Sequence, residues 1–138
     1  MKSIQEKQKE IIEEFADFED WQERFQYLIE LGDSLLDYPE EHRKKDNLVP
    51  GCQSRVWVHS EVKDDALIFY ADSDTALTKG LIAILVHVFS GQSPKEIMNS
   101  SLEFLEEIGL QKFLSISRRN GLHSMIQILK TTAENQLS

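Results

Sequence analysis

The chain has 138 residues, 41% of them apolar, and no long Gly, Ser or Pro tract, which suits one globular domain over 1–138 with a single core. Its 24 acidic residues against 15 basic ones give a formal net charge of −9, the wrong sign for neutralising phosphates or anionic lipid, so no nucleic-acid and no membrane partner is expected. The longest apolar run, from Leu81 to Phe89 and interrupted by His87, is far short of the ~20 residues of a bilayer-spanning helix. Met1 to Phe18 is charged throughout and lacks the apolar stretch of a secretory signal. The expected location is cytoplasmic, where a single cysteine stays a thiol.

Ser3 with Glu6 reads as a capping box, and Ile4, Ile11, Ile12 and Phe15 recur at helical spacing behind it. Asp20 with Glu23 repeats the pattern ahead of a second helix whose core face carries Trp21, Phe25, Leu28, Ile29, Leu35 and Leu36. From Asp37 to Asn47 the composition, Tyr38-Pro39 followed by charged residues and His42, predicts an exposed connection. Arg55 to Val62 and Leu67 to Ala71, joined by Lys63-Asp64-Asp65, predict a β-hairpin, with Leu48-Val49 as a candidate third strand.

Asp72, Ser73 and Asp74 compete to cap the next helix, which is apolar nearly all round to Phe89 and ends at Ser90-Gly91. Ser93, Pro94 and Glu96 start a short helix to Asn99, and another runs from Leu102 to Gly109. Ser117 is the expected cap of a last helix bearing Leu122, Met125, Ile126 and Leu129. The predicted class is α+β: a small antiparallel sheet of two to three strands packed against several helices.

Chemistry centres on Cys52, in Pro50-Gly51-Cys52-Gln53-Ser54-Arg55, where Pro50-Gly51 is a turn signal and Arg55 opens a strand. A glycine beside a thiol leaves room for a reactant, although free cysteine is also among the most buried residue types, and the residues alone leave both roles open. A nucleophilic thiol needs nearby positive charge, for which Arg55, Lys79, Arg118 and Arg119 are candidates. No metal is expected. His42, His59, His87 and His123 are scattered without ligand spacing, and His87, on an apolar helix, reads as a core histidine. No phosphate-binding glycine loop is present in the sequence.

Three blocks then carry a resemblance. Gly51-Cys52-Gln53-Ser54-Arg55-Val56-Trp57 resembles the signature of the SufE family of sulfur acceptors. Asp72-Ser73-Asp74-Thr75-Ala76-Leu77-Thr78-Lys79-Gly80-Leu81-Ile82-Ala83 resembles that family's helix start, and Ser117-Arg118-Arg119-Asn120-Gly121-Leu122 its closing element, with Ile116 where the family often has proline. The resemblance implies a fold shared with IscU-type proteins. It implies further that Cys52 carries persulfide sulfur, received from a SufS-type or Csd-type cysteine desulfurase, which it stimulates, and delivered to a downstream iron–sulfur scaffold complex.

In that picture the chain is a sulfur-transfer accessory protein rather than a stand-alone enzyme. It holds no cofactor of its own, since pyridoxal phosphate resides on the desulfurase. Gly51, Gln53, Ser54, Asp74 and Arg118 are the supporting residues, with Asp74 and Arg118 expected to help hold the Cys52 loop closed. Two other readings stand beside it. A cluster scaffold of the IscU type uses three cysteines where this chain has one, and a thiol redox sensor would use Cys52 for sulfenylation.

Overall fold

The computed structural model describes residues 2–50 and 54–137. Helix α1, Ile4–Ala16, starts at the expected capping box: Ser3 Oγ accepts from the Glu6 N–H at 3.1 Å and Glu6 Oε1 accepts from the Ser3 N–H at 3.2 Å. Its buried face is Ile4, Ile11 and Phe15. Helix α2, Trp21–Asp33, is capped by Asp20, whose Oδ1 accepts from the Glu23 N–H. The Glu23 carboxylate reaches back to the Glu19 N–H, one residue further out than a capping box requires.

α2 ends earlier than the apolar pattern predicts. The Ser34 hydroxyl donates to the Leu31 carbonyl at 2.6 Å and the Leu35 N–H to the Gly32 carbonyl at 3.2 Å, so the chain turns away after Asp33. Leu36 is left 62% exposed instead of lining the core.

Strands β1 (Val56–Lys63) and β2 (Ala66–Ser73) form the antiparallel hairpin, with Val56 opposite Ser73 and Trp57 opposite Asp72. Asp64 and Asp65 both have positive φ (53° and 66°), as the two central residues of a type I′ turn must, and aspartate tolerates that conformation well. Val56, Val58, Leu67, Phe69 and Ala71 point from the sheet into the core. The candidate third strand is reduced to a bridge: Leu48 pairs with Trp57, and the Val49 N–H donates to the Val56 carbonyl at 2.8 Å. Pro50, which has no N–H to donate, follows at once.

Helix α3, Ala76–Phe89, lies at the centre, against α1, α2, the hairpin and the last helix. Leu81 to Leu85, Val88 and Phe89 are all buried. Its crossing with α2 is tight because both helices carry glycine there, and a Cβ on Gly80 would lie 2.3 Å from the Leu28 carbonyl oxygen. The expectation that His87 is a core histidine is overturned: the residue falls on the exposed side of α3, towards Lys7, Glu10 and Glu14 of α1, with no hydrogen-bond partner among the described residues.

After Ser93 Oγ caps helix α4 (Pro94–Asn99), the helix expected from Leu102 to Gly109 is a single turn, α5 (Phe104–Glu107), and a second single turn that the sequence did not suggest, α6 (Leu110–Phe113), follows Gly109. Gly109 divides them with a φ of 76°, which interrupts any continuous helix. The last helix, α7, runs Ile116–Leu137. Ser115 starts it, not Ser117: its Oγ accepts from the Arg118 N–H at 3.2 Å and its carbonyl from the Arg119 N–H at 2.9 Å. Ile116 therefore occupies the first helical position, 69% exposed, where proline is also favoured, so the departure from the family pattern leaves the helix start intact. Among the described residues no helix is long and apolar enough to cross a membrane.

Candidate functional site

Gly51, Cys52 and Gln53 lie outside the described residues, but both ends of the segment that contains them are defined. On the incoming side, Leu48 and Val49 are tied to Trp57 and Val56. On the outgoing side, the Arg55 N–H donates to Asp74 Oδ1 at 3.0 Å and the Asp74 N–H to the Arg55 carbonyl at 3.2 Å. Asp74 thus spends its carboxylate on the strand start instead of on capping α3. The helix cap is Thr75, whose Oγ1 sits 3.0 Å from Ser54 Oγ. Thr78, one turn into α3 and buried, donates its hydroxyl to the same Ser54 Oγ at 3.4 Å.

Ser54, Thr78 and Leu81 share a cavity of about 40 Å³ with Ser117, Arg118, Gly121 and Met125 of α7. Of the four cations proposed from sequence, Arg118 lines this cavity. Lys79 instead pairs with Asp72 at 3.4 Å, Arg119 lies over a different surface hollow with His123 and Ile126, and Arg55 is exposed. The three sequence blocks that carry the family resemblance, separated by up to sixty residues, therefore meet at one small space. Among the described residues no three histidine, cysteine or carboxylate side chains are placed to hold a metal ion.

The connection before the Cys52 segment is folded onto the sheet, contrary to the exposed linker its charge predicts. Two 3₁₀ turns, Glu40–His42 and Lys45–Asn47, make it up. Tyr38 is buried, its hydroxyl donating to the His42 carbonyl at 3.0 Å, and Asn47 Nδ2 donates to that same carbonyl at 2.7 Å. The His42 ring stacks on His59 of β1 with centroids 3.6 Å apart. Arg43 lies over both Trp57 and Tyr38, at 4.8 and 5.2 Å from their ring centres, and pairs with Asp72 at 2.8 Å and Glu40 at 3.0 Å. Trp57 is half-buried beneath it.

Burial pushes the Asp72 carboxyl up, but the Arg43 hydrogen bond, the Ser73 N–H and the Lys79 and Arg43 charges outweigh it and hold the group below its ordinary value. A carboxyl depressed by folding stabilises the protein above its unfolded value of about 3.9 and loses that contribution as pH falls through the folded value. Wild-type stability, read as urea midpoints from pH 7 to pH 3, should therefore decline below about pH 4. Asp72→Asn should start lower at pH 7 and converge on wild type at the acid end; a constant gap between the two would contradict the ion-pair account.

A family model described as "SufE: Fe-S metabolism associated domain" matches residues 9–133. The chain belongs to the SufE family. Its function accordingly falls within iron–sulfur metabolism. It is 41% identical over 133 residues to an uncharacterised SufE-like protein of Rhizobium meliloti, covering 93% of this chain and 95% of that one. It is 37% identical over 130 residues to another from Rhizobium etli, covering 91% and 88%. The fold matches the solution structure of a hypothetical protein from Thermus thermophilus with a TM-score of 0.79 and 22% identity, over 95% of this chain and 96% of that one.

Sequence reasoning missed Thr75, Thr78 and Arg43. The two threonines sit inside the SufE block but carry no reactive group, so only the approach of Ser54 distinguishes them. Arg43 stands in a run with Lys44 and Lys45, where charge reads as solvation.

Proposed function

We propose that this SufE-family chain accepts persulfide sulfur on Cys52 from a pyridoxal-phosphate cysteine desulfurase, stimulates that enzyme by clearing its persulfide, and delivers the sulfur for iron–sulfur cluster assembly. The observation that carries the reading is the convergence of Ser54, Thr78, Ser117 and Arg118 on one cavity, with Ser54 only two residues from Cys52. In the transfer, the Cys52 thiolate attacks the terminal sulfur of the partner's persulfide. The S–S bond on the partner breaks, its cysteine leaves as thiolate and takes up a proton, and Cys52 holds the sulfur with no net oxidation.

A persulfide is lost readily to small thiols, so a carrier gains from sheltering it. The cavity beside Ser54 lies where the Cys52 segment rejoins the described fold, which supports a sheltering role for it. Asp74 secures the outgoing end of the segment and Arg118 walls the cavity; together they favour the sheltered state, which docking to the desulfurase opens. Alanine at both positions should raise the rate of Cys52 alkylation about tenfold, the size of effect expected for one charged hydrogen bond and one cavity wall. Unchanged alkylation and transfer rates would remove Asp74 and Arg118 from the mechanism.

The deciding experiment mixes the chain with a cysteine desulfurase from the same cell and free cysteine, and follows the Cys52 peptide by mass spectrometry. One reducible added sulfur with faster desulfurase turnover, both lost in Cys52→Ser, is the expected result. No sulfur on Cys52 with SufS-type and Csd-type partners both tried would overturn the reading.

A further inference from the structure

A second hollow, of about 320 Å³, opens between the start of α2 and the turns α5 and α6, and it shares no lining residue with the cavity beside Ser54. Its size is at the lower end of the range of small-ligand sites. Four charged side chains line it: Arg24 of α2, Glu106 and Glu107 of α5, and Lys112 of α6. Two cations and two carboxylates thus border one space, yet none of the four is in an ion pair among the described residues.

Arg24 is the residue out of balance. Its guanidinium lies over the Trp21 ring at 4.7 Å, and Nη2 donates to the Phe18 carbonyl at a long 3.4 Å. Its Nε is buried with no hydrogen-bond partner, the one such side-chain atom among the described residues. Stacking on Trp21 explains where the guanidinium lies but satisfies none of its N–H groups. A half-buried cation that has lost hydration and gained no carboxylate carries a cost, and a carboxylate placed in the hollow would offset it.

Lys112, exposed on α6, adds a second positive charge to the same space. Glu106 and Glu107, also exposed, disfavour a ligand of high negative charge and attract an ammonium. The half-buried Trp21 and the buried Ile108 supply apolar wall among these charges. Cations, carboxylates and an apolar wall together match a molecule that bears a carboxylate, an ammonium and an apolar group on one carbon.

We propose that this hollow binds a free α-amino acid with an apolar side chain, its carboxylate held by Arg24 and Lys112, its ammonium by Glu106 and Glu107, and its side chain against Trp21 and Ile108. The site is distinct from the sulfur-transfer machinery and does not rest on the carrier reading. A bound ligand ties α2 to the α5 and α6 turns.

The test titrates L-leucine into the full chain and follows the backbone amide signals by NMR, with N-acetyl-L-leucine, L-leucinamide and glycine as comparison ligands. L-leucine should give saturable shifts centred on residues 12–24 and 104–112, with a Kd on the order of 1 mM, as suits so small a ligand. Each comparison ligand lacks one of the three recognised groups and should bind about tenfold more weakly. Arg24→Gln should weaken leucine binding about tenfold, and Lys112→Gln, an exposed change that removes no packing, about threefold. If Arg24→Gln does not fold, Lys112→Gln decides. The absence of saturable shifts up to about 50 mM leucine overturns the proposal, because binding that weak would not distinguish a site from the general surface. Equal binding of leucine and its N-acetyl form overturns it too, since Glu106 and Glu107 would then hold no ammonium, as does equal binding of leucinamide, which would leave the cations without a carboxylate. Unchanged affinity in the folded variants would place the ligand elsewhere. No step involves Cys52 or a desulfurase, so neither outcome bears on the carrier reading.

Discussion

Gly80→Ala should destabilise the protein by about 3 kcal/mol, the upper part of the range for overpacking a close contact, and lower Tm by roughly 10 °C for a chain of this size. The added Cβ would stand 2.3 Å from the Leu28 carbonyl oxygen and 2.7 Å from its carbonyl carbon. Both are backbone atoms, so no rotamer change relieves the overlap; α2 and α3 must separate. Alanine's better helix propensity returns only about 1 kcal/mol.

Gly32, on the facing helix, provides the comparison. Its Cβ would meet the Gly80 nitrogen at 3.1 Å and Lys79 atoms at 3.2 and 3.3 Å, a contact that shifts of a few tenths of an ångström relieve. Gly32→Ala should therefore lie within about 1 kcal/mol of wild type, the propensity gain offsetting most of the strain. Thermal unfolding followed by the two tryptophans checks both. Equal effects at the two glycines would show that the α2–α3 crossing is looser than these distances say.

Lys130→Met should cost about 2 kcal/mol, seen as a fall of about 1 M in the urea midpoint. Lys130 Nζ donates from α7 to the carbonyls of Ile97 at 2.6 Å and Ser100 at 3.0 Å, and to Ser100 Oγ at 3.1 Å, so it closes the C-terminal end of α4. Burial pulls the ammonium's pKa below its ordinary value, which means that removing the charge recovers some desolvation. Methionine also keeps the packing of the stem. Neither gain matches the loss: the Ile97 carbonyl keeps the Ser100 N–H and hydroxyl, but the Ser100 carbonyl loses its ammonium donor, and hydrogen bonds to a charged donor are the stronger kind. Hydrogen exchange should locate the change, with α4 amides losing protection before those of α3. An unchanged urea midpoint would show that water replaces the ammonium without loss.

The sequence alone determined the helix starts at Ser3, Asp20 and Ser93, the hairpin connection at Lys63-Asp64-Asp65, which the structure narrows to a turn at Asp64-Asp65, and the central placement of α3. Each of these rests on a signal contained in a few neighbouring residues: an oxygen-bearing cap, a pair that tolerates positive φ, or an uninterrupted apolar run. The family blocks were legible for the same reason. Tertiary structure decided everything that depends on distant partners. Asp74 looked like a helix cap and became the anchor of the Arg55 backbone, because in the hairpin the start of β1 lies beside the end of β2. Leu36 fitted a helical stripe and came out exposed once Ser34 turned the chain, and His87 fell on the one side of α3 that α1 only partly covers. Arg43 read as one solvated charge among several. Only the fold could reveal its role, since the Trp57 ring and the Asp72 carboxylate that make it a clasp are brought together by strand register and not by sequence neighbourhood.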